Sequence, residues 1–398
     1  MKKRFLIILI SAFLIFSVVS PLAAFDGGGQ LDTNIMLAGQ NWFNDNFAGV
    51  AGASEKGTGW FRTPLPLGTL SIEANWTFNI SYGVVWPLTL LDAQVFTLGN
   101  TLDVNLVKYN LPLSIADFKM DINIGRFALS DSTGLIFNQN IDGLYVSMPS
   151  SLFSVAAGAG YTGLQNAKTT AVYKYPVTTS PSSIYQFAPG YVALFTKASA
   201  PNIIGGQSFE AEVNMFVNCN TVALAEGAIG LHRSYATISA RGPVIPLLYY
   251  NAAFSFGFAF GSQAKVGIMG KGGISFYPNF LSSALSFTTV FATNGFIPFT
   301  DIPVSVDGKI HCSDLLKLAL SYSFKPTDKW LANTEFDLLY TSQEGSSSFI
   351  LDVLQGTLSA KFQWLSDVCL VATGGVVIPM ATSRVSYFTG SVRAQLSF

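Results

Sequence analysis

Between residues 70 and 86 an apolar side chain stands at every second position: Leu70, Ile72, Ala74, Trp76, Phe78, Ile80, Tyr82, Val84 and Trp86. Ser71, Glu73, Asn75, Thr77, Asn79, Ser81, Gly83 and Val85 fill the gaps. Successive side chains of a β-strand point to opposite faces, so a strict period of two means one apolar face and one polar or small face. A helix would scatter the same residues around its axis. At about 3.4 Å per residue such a strand reaches roughly 55 Å, whereas about 9 to 11 residues suffice to cross lipid. This stretch is long enough to span a bilayer and project beyond it.

The texture returns in Phe209, Ala211, Val213, Met215 and Val217, in Tyr250 through Phe260, in Leu316 to Phe324 and in Trp330 to Tyr340. A soluble antiparallel sandwich also alternates, but it turns Lys and Glu to water. Here charged residues are only 11% of the chain, and the interleaved residues are mostly Ser, Thr, Gly and Asn. That pattern predicts an all-β, closed antiparallel transmembrane β-barrel, apolar toward lipid and modestly polar toward a wet lumen. Closure leaves no unpaired backbone edge in lipid. The expected strands are 70–86, 94–107, 117–125, 143–148, 153–161, 191–198, 207–217, 228–240, 247–260, 265–277, 284–291, 315–324, 330–341, 354–364, 368–378 and 385–398. They number about 16, within a range of 14 to 18. The long connectors 162–190 and 292–314 fit exposed loops and the short ones fit turns, which makes 70–86 the first upward strand.

Three segments divide the chain. Residues 1–24 read as a secretory signal peptide: Lys2, Lys3 and Arg4 form a basic start, residues 5–19 an apolar core, and Ala23 and Ala24 a cleavage site. Residues 25–67 hold either an extra strand around 31–38 or an extended segment packed in the lumen. Residues 68–398 form the barrel. Without the three signal-peptide cations, 19 of the 22 basic residues face 23 acidic ones, so no basic surface suggests a nucleic-acid partner. Cys219, Cys312 and Cys369 are far apart and odd in number, which fits neither a disulfide framework nor a metal site.

The last strand places Phe388, Val392, Ala394, Leu396 and the terminal Phe398 on one face, with Tyr387, Arg393, Gln395 and Ser397 on the other. With the signal peptide and the alternating strands, this ending resembles the bacterial outer-membrane β-barrel family, and the size is similar to that of a porin. The resemblance implies an outer-membrane location after signal cleavage. It also implies that Phe398, Leu396 and Val392 form an assembly signal read by the barrel-assembly machinery, with periplasmic chaperones as earlier partners. The sequence departs from the family at Gly390, where members often carry an aromatic residue.

Strand parity turns Glu73, Asp103, Lys119, Asp121, Glu210, Glu212, Lys265, Lys271, Lys317, Glu335, Asp337, Lys361 and Arg393 toward the lumen. Mixed charges suit a water-filled pore that small polar solutes and ions enter by passive diffusion, with at most a mild cation preference. Glu210 and Glu212 are the densest acidic pair. Lys108 and Arg126 break parity, as basic side chains snorkelling from strand ends do, and Asp352 is expected in a loop before its strand. Trp76, Tyr82, Trp86, Tyr250, Trp330, Tyr340, Trp364 and Phe398 fit interfacial girdles. The segment from Gly125 and Arg126 through Asp131 and Gly134 to Asp142 and Gly143 reads as strand, turn, strand. His232 and His311 stand in no spacing that assembles a catalytic group, so no enzyme and no cofactor is expected. The bilayer and small solutes are the expected partners, with homo-oligomerisation open. A transporter of hydrophobic, fatty-acid-type solutes and a surface adhesin or structural protein are the alternatives.

Overall fold

The structure, a computed structural model, describes residues 26–40, 48–85, 96–115, 118–150, 152–170, 172–175, 183–220, 232–261, 264–278, 280–342, 349–381 and 385–398. Residues 1–24, expected to be a signal peptide, and Trp86 lie outside these residues. Eighteen strands follow one another: β1 (Asp26–Gln40), β2 (Ala48–Leu65), β3 (Gly68–Val85), β4 (Phe96–Ile115), β5 (Phe118–Ser130), β6 (Asn138–Pro149), β7 (Ser154–Tyr161), β8 (Tyr191–Ala200) and β9 (Ser208–Asn218). Then come β10 (His232–Ile245), β11 (Leu248–Phe260), β12 (Lys265–Phe276), β13 (Ala284–Ala292), β14 (Leu315–Thr327), β15 (Trp330–Ser342), β16 (Phe349–Leu365), β17 (Val368–Pro379) and β18 (Tyr387–Ser397).

Each strand pairs antiparallel with its neighbours in sequence, and β1 pairs with β18 from Gln30↔Ser397 to Gln40↔Tyr387. The sheet is therefore a closed barrel. Gly29 and Phe398 exchange backbone hydrogen bonds of 2.8 and 2.9 Å at the end of that seam. The two strands beyond the sixteen expected are β1 and β2, which pair along their whole length from Asp26↔Arg62 to Gln40↔Ala48. Residues 26–65 thus lie in the wall, and the strand around residues 31–38 has β2 as its partner.

Short turns such as 66–67, 246–247, 328–329 and 366–367 join the strands at one end of the barrel. The opposite end carries the long connectors, the longest being 162–190 and 293–314. Apolar side chains face outward: Leu194, Val213, Ile238, Phe254, Phe256, Phe287, Leu320, Phe336 and Leu358 are all exposed. Trp330 and Trp364 stand on this outer surface beside the short turns, with Trp330 against Phe362 at 4.6 Å between ring centroids.

Two irregularities correct the simple parity. On β4 the register slips between Glu73↔Leu106 and Ala74↔Val104, so Asn105 is an extra residue. A bulge of this kind exchanges the two faces of the strand beyond it. It puts Lys108 on the lumen side, with Asn110, which bonds Asn123 across the pair at 3.0 Å. Lys108 therefore does not snorkel to a headgroup. Arg126 does not either: it is buried and bidentate to Asp142, at 2.7 and 2.8 Å. Asp352 also departs from expectation, lying inside β16 as the residue skipped between Leu339↔Val353 and Tyr340↔Leu351.

Candidate functional site: the lumen and its inward loops

Above Val107↔Arg126 the wall changes character, because β4 and β5 stop pairing there although both strands continue. Gly125 has φ +111°, a conformation that L side chains rarely adopt, and a Cβ there would overlap the carbonyl of Val107. Its register partner Gly143 has no room for a Cβ either, against the backbone of Ala159 and Gly160. The paired glycines let the upper β5–β6 hairpin leave the wall and cross the lumen.

The hairpin tip, residues 131–137, is built on Asp131. Its carboxylate accepts the amides of Thr133, Ile136 and Phe137 at 2.8, 3.0 and 2.8 Å. The tip then fastens to the opposite wall. Glu212 on β9 accepts Ser132 through its amide at 3.0 Å and its hydroxyl at 3.2 Å, and Lys271 on β12 donates to the carbonyl of Thr133 at 2.7 Å.

Residues 293–314 fold inward to meet it. Phe299 stacks on Phe216 at 3.9 Å and lies 5.6 Å from Phe137, while the carbonyl of Ile136 accepts the amides of Phe299 and Thr300. Arg233, fully buried on β10, donates to Pro298 at 2.5 Å and to Tyr173 of the 162–190 connector at 2.6 Å. Tyr235 donates to Ile297 at 2.6 Å. Farther round the wall, Gln355 on β16 accepts the amide of Val306 at 2.8 Å and donates to Val304 at 3.2 Å. Val304, Val306 and Ile310 pack there on Leu315, Leu339, Val353 and Val377. An apolar core thus sits inside the barrel and narrows it. Burial, with the charges of Lys265 and Arg233 adding, holds the Lys174 ammonium in the 162–190 connector below the ordinary lysine range.

The charges expected in the lumen all lie on inward faces, yet many are not free. Lys317 bridges Glu335 at 3.1 Å and Asp337 at 2.9 Å, and Gln355 donates to Asp337 at 2.6 Å. Arg393 meets Asp32 at 3.1 Å across the β1–β18 seam. Glu210 pairs with Lys197 at 2.6 Å. Glu73 accepts Asn105 at 2.7 Å, and Asp103 accepts the hydroxyl of Thr169 at 2.5 Å. Lys265 shares its face with buried Met269, while Lys119 and Asp121 share theirs with Asn123 toward the short-turn end. Lys361 is exposed on the lumen face of β16. Glu210 and Glu212 therefore do not act as one acidic pair, since one is neutralised by Lys197 and the other holds the hairpin.

Asp32, Lys197, Arg233 and Arg241 also face inward and were absent from the sequence-derived set. A polar cavity of about 1230 Å³ opens beside the tip, where Lys197, Glu210, Arg241, Asn251 and Lys271 line it with Ser132. Of the two histidines, His311 has Nδ1 2.8 Å from Asp301, and His232 stacks on Phe260 while its Nδ1 accepts the amide of Asn218 at 3.2 Å.

No protein-family model and no curated protein sequence matches the chain. Solved structures do. Pseudomonas aeruginosa OccK7 (OpdD) superposes with a TM-score of 0.62 at 6% identity, covering 94% of this chain and 99% of the other. The outer membrane protein opdK of the same organism gives 0.59 at 10% identity over 94% and 98%. Pseudomonas aeruginosa OccK2 (OpdF), solved in complex with glucuronate, gives 0.57 at 13% identity over 94% and 98%. At these identities the likeness is one of architecture, and the chain has the closed antiparallel barrel fold of these outer-membrane proteins.

Proposed function

We propose that the chain is an outer-membrane channel for passive diffusion of small polar solutes and ions, entered from the long-loop end. The observation that carries this reading is the lumen face: charged and amide side chains line it, while the outer face is apolar. A wall with those two faces separates water from lipid. The glucuronate in the OccK2 (OpdF) structure supports a small hydrophilic solute as the class to try first. The inward loops narrow the bore on one side, so passage runs past the exposed lumen residues Lys361, Thr373, Arg393 and Asn79. Residues 1–24 would be removed on export, and Phe398, Leu396 and Val392 would guide assembly.

Mixed charge that is largely paired makes the channel weakly selective. Refolded protein in a planar bilayer should give discrete ohmic steps, with a reversal potential near zero in a potassium chloride gradient. A barrel that inserts but carries no current, or one that strongly selects anions, would refute the reading.

A further inference from the structure

We propose that the wall carries a second, lateral route, between the upper half of β4 and the top of β6 and β7, through which a single-chain amphiphile passes between the outer leaflet and the lumen. The breach begins where β4 loses β5 at Val107↔Arg126. Above it the edge of β4 is met by a loop rather than a strand. Leu102 donates its amide to Ile184 at 3.2 Å, and Asn166 donates its side-chain amide to the Leu102 carbonyl at 2.9 Å. Ala167 and Ala188 tie the two arms of that loop together through Gln186 and Gln165. The insert is a short ribbon of the 162–190 connector; Lys168 also donates to the Asn100 carbonyl at 3.1 Å and Thr169 to Asp103 at 2.5 Å, so side-chain ties stand where a strand ladder would run.

Arg126 spans the breach. Its guanidinium binds Asp142 on β6, the Val104 carbonyl on β4 at 3.0 Å and the Leu164 carbonyl of the insert at 2.7 Å. It therefore serves as the latch between wall and insert.

Height and lining name the ligand. Val107 stands eight residues above Ile115 at the short-turn end of β4, which at about 3.4 Å per residue and a tilt near 40° is roughly 21 Å. The apolar band of such a barrel is about 25 Å tall, so the breach opens at the outer rim of the band, where a polar head meets an apolar tail. Apolar side chains are exposed on the insert and on the edge it meets, Phe187 being 66% and Ile184 51% exposed, with Leu98 and Leu102 of β4 exposed as well. One residue along β5 from the latch, Phe127 enters a recess of about 230 Å³. Leu129, Tyr145 and Phe195 line it, and Lys197 and Glu212 supply polar groups. A tail can lie along the aromatics with a carboxylate head turned to Lys197, in exchange for its contact with Glu210, and away from the Asp131 and Glu212 carboxylates of the same lining. This route is independent of axial diffusion.

The test locks the insert. Leu102→Cys and Ile184→Cys, in a Cys219→Ser background, stand on two backbones joined by a 3.2 Å hydrogen bond, and the mass of the oxidised protein checks that the disulfide forms. The protein is reconstituted in vesicles with a photoactivatable 12-carbon carboxylate, and labelled residues are mapped by mass spectrometry. Labelling of the recess is expected in the reduced form, to fall at least tenfold on oxidation and to return with reductant, while potassium chloride conductance stays constant. Replacing both latch residues, Arg126→Met with Asp142→Met, should raise recess labelling severalfold. Recess labelling that is absent in every form, or unchanged by the disulfide, overturns the lateral route. Loss of potassium chloride conductance in the unlocked protein would instead count against the axial channel.

Discussion

Glu212→Ala removes the acceptor that holds the crossing hairpin, and its effect can be worked out bond by bond. Ser132 loses two hydrogen bonds to one carboxylate oxygen, of 3.0 and 3.2 Å. Hydrogen bonds to a charged group contribute about 1.5 to 3 kcal/mol each, but the second donor is a hydroxyl that water satisfies readily. A net cost of about 2 to 4 kcal/mol for opening the tip follows, equivalent to roughly 30- to 1000-fold in its opening equilibrium. Lys271 on Thr133 and the packing of Phe137 on Phe216 still hold the hairpin, so the barrel stays folded and only the tip loosens. Hydrogen exchange of the Ser132 amide in detergent-solubilised protein should accelerate by that factor, and single-channel records should show added open-state noise. Glu212→Gln keeps an acceptor oxygen in place and should fall between wild type and alanine. Equal exchange in all three proteins, or equal acceleration by glutamine and alanine, would refute a hydrogen-bonded latch.

Burial pushes the Cys312 thiol up to about 12. Maleimide at pH 8 should therefore modify Cys219 within minutes and leave Cys312 intact until the protein is denatured, as mass spectrometry of the labelled peptides will show. Lys317→Met strands Asp337, whose side chain is only 3% exposed, and Glu335 beside it. Breaking a buried pair costs about 3 to 5 kcal/mol, so the heat-induced shift in gel mobility should move to lower temperature, and adding Asp337→Leu should restore most of the loss. Deleting Phe398 removes the two backbone hydrogen bonds it exchanges with Gly29, and the fraction of heat-modifiable, membrane-inserted protein should fall. Unchanged insertion would argue that the closing seam is fixed elsewhere along β1 and β18.

What could be read from the chain itself was set by how clearly each residue marks a face. The alternation of β3 is unbroken, and sixteen strands follow from repeats of it. Strand β2 escaped, and β1 stayed one of two alternatives, because Gly27, Gly28, Gly29, Gly49, Gly52, Gly57 and Gly59 leave the pattern blank, since a glycine has no side chain to declare inside or outside. Strand β4 was cut short at residue 107 because the Asn105 bulge inverts its parity, and the same inversion made Lys108 look like an exception. Lys197 was missed for the opposite reason: Tyr191, Ala193 and Phe195 make the lumen face of β8 as apolar as its lipid face. The inward fold of the loops had one available signal. Leu135, Ile136 and Phe137, and again Phe296, Ile297 and Phe299, are apolar runs in connectors, and such runs have to find an interior. Which residues pair across the lumen was not legible, because those contacts join strands remote in sequence.

The glycine pair at Gly125↔Gly143 separates two properties that a plain cylinder ties together. Strand number and stagger fix the girth of a barrel, so a simple tube can change its bore only by changing its wall. Here one hairpin belongs to the wall below the glycines and to the bore above them. Residues can be added to or removed from the tip without disturbing any pairing that sets the circumference. Among homologous sequences, length variation should therefore gather between residues 126 and 142 while the lower halves of the same strands keep their length, and solute range should follow the length of that one hairpin.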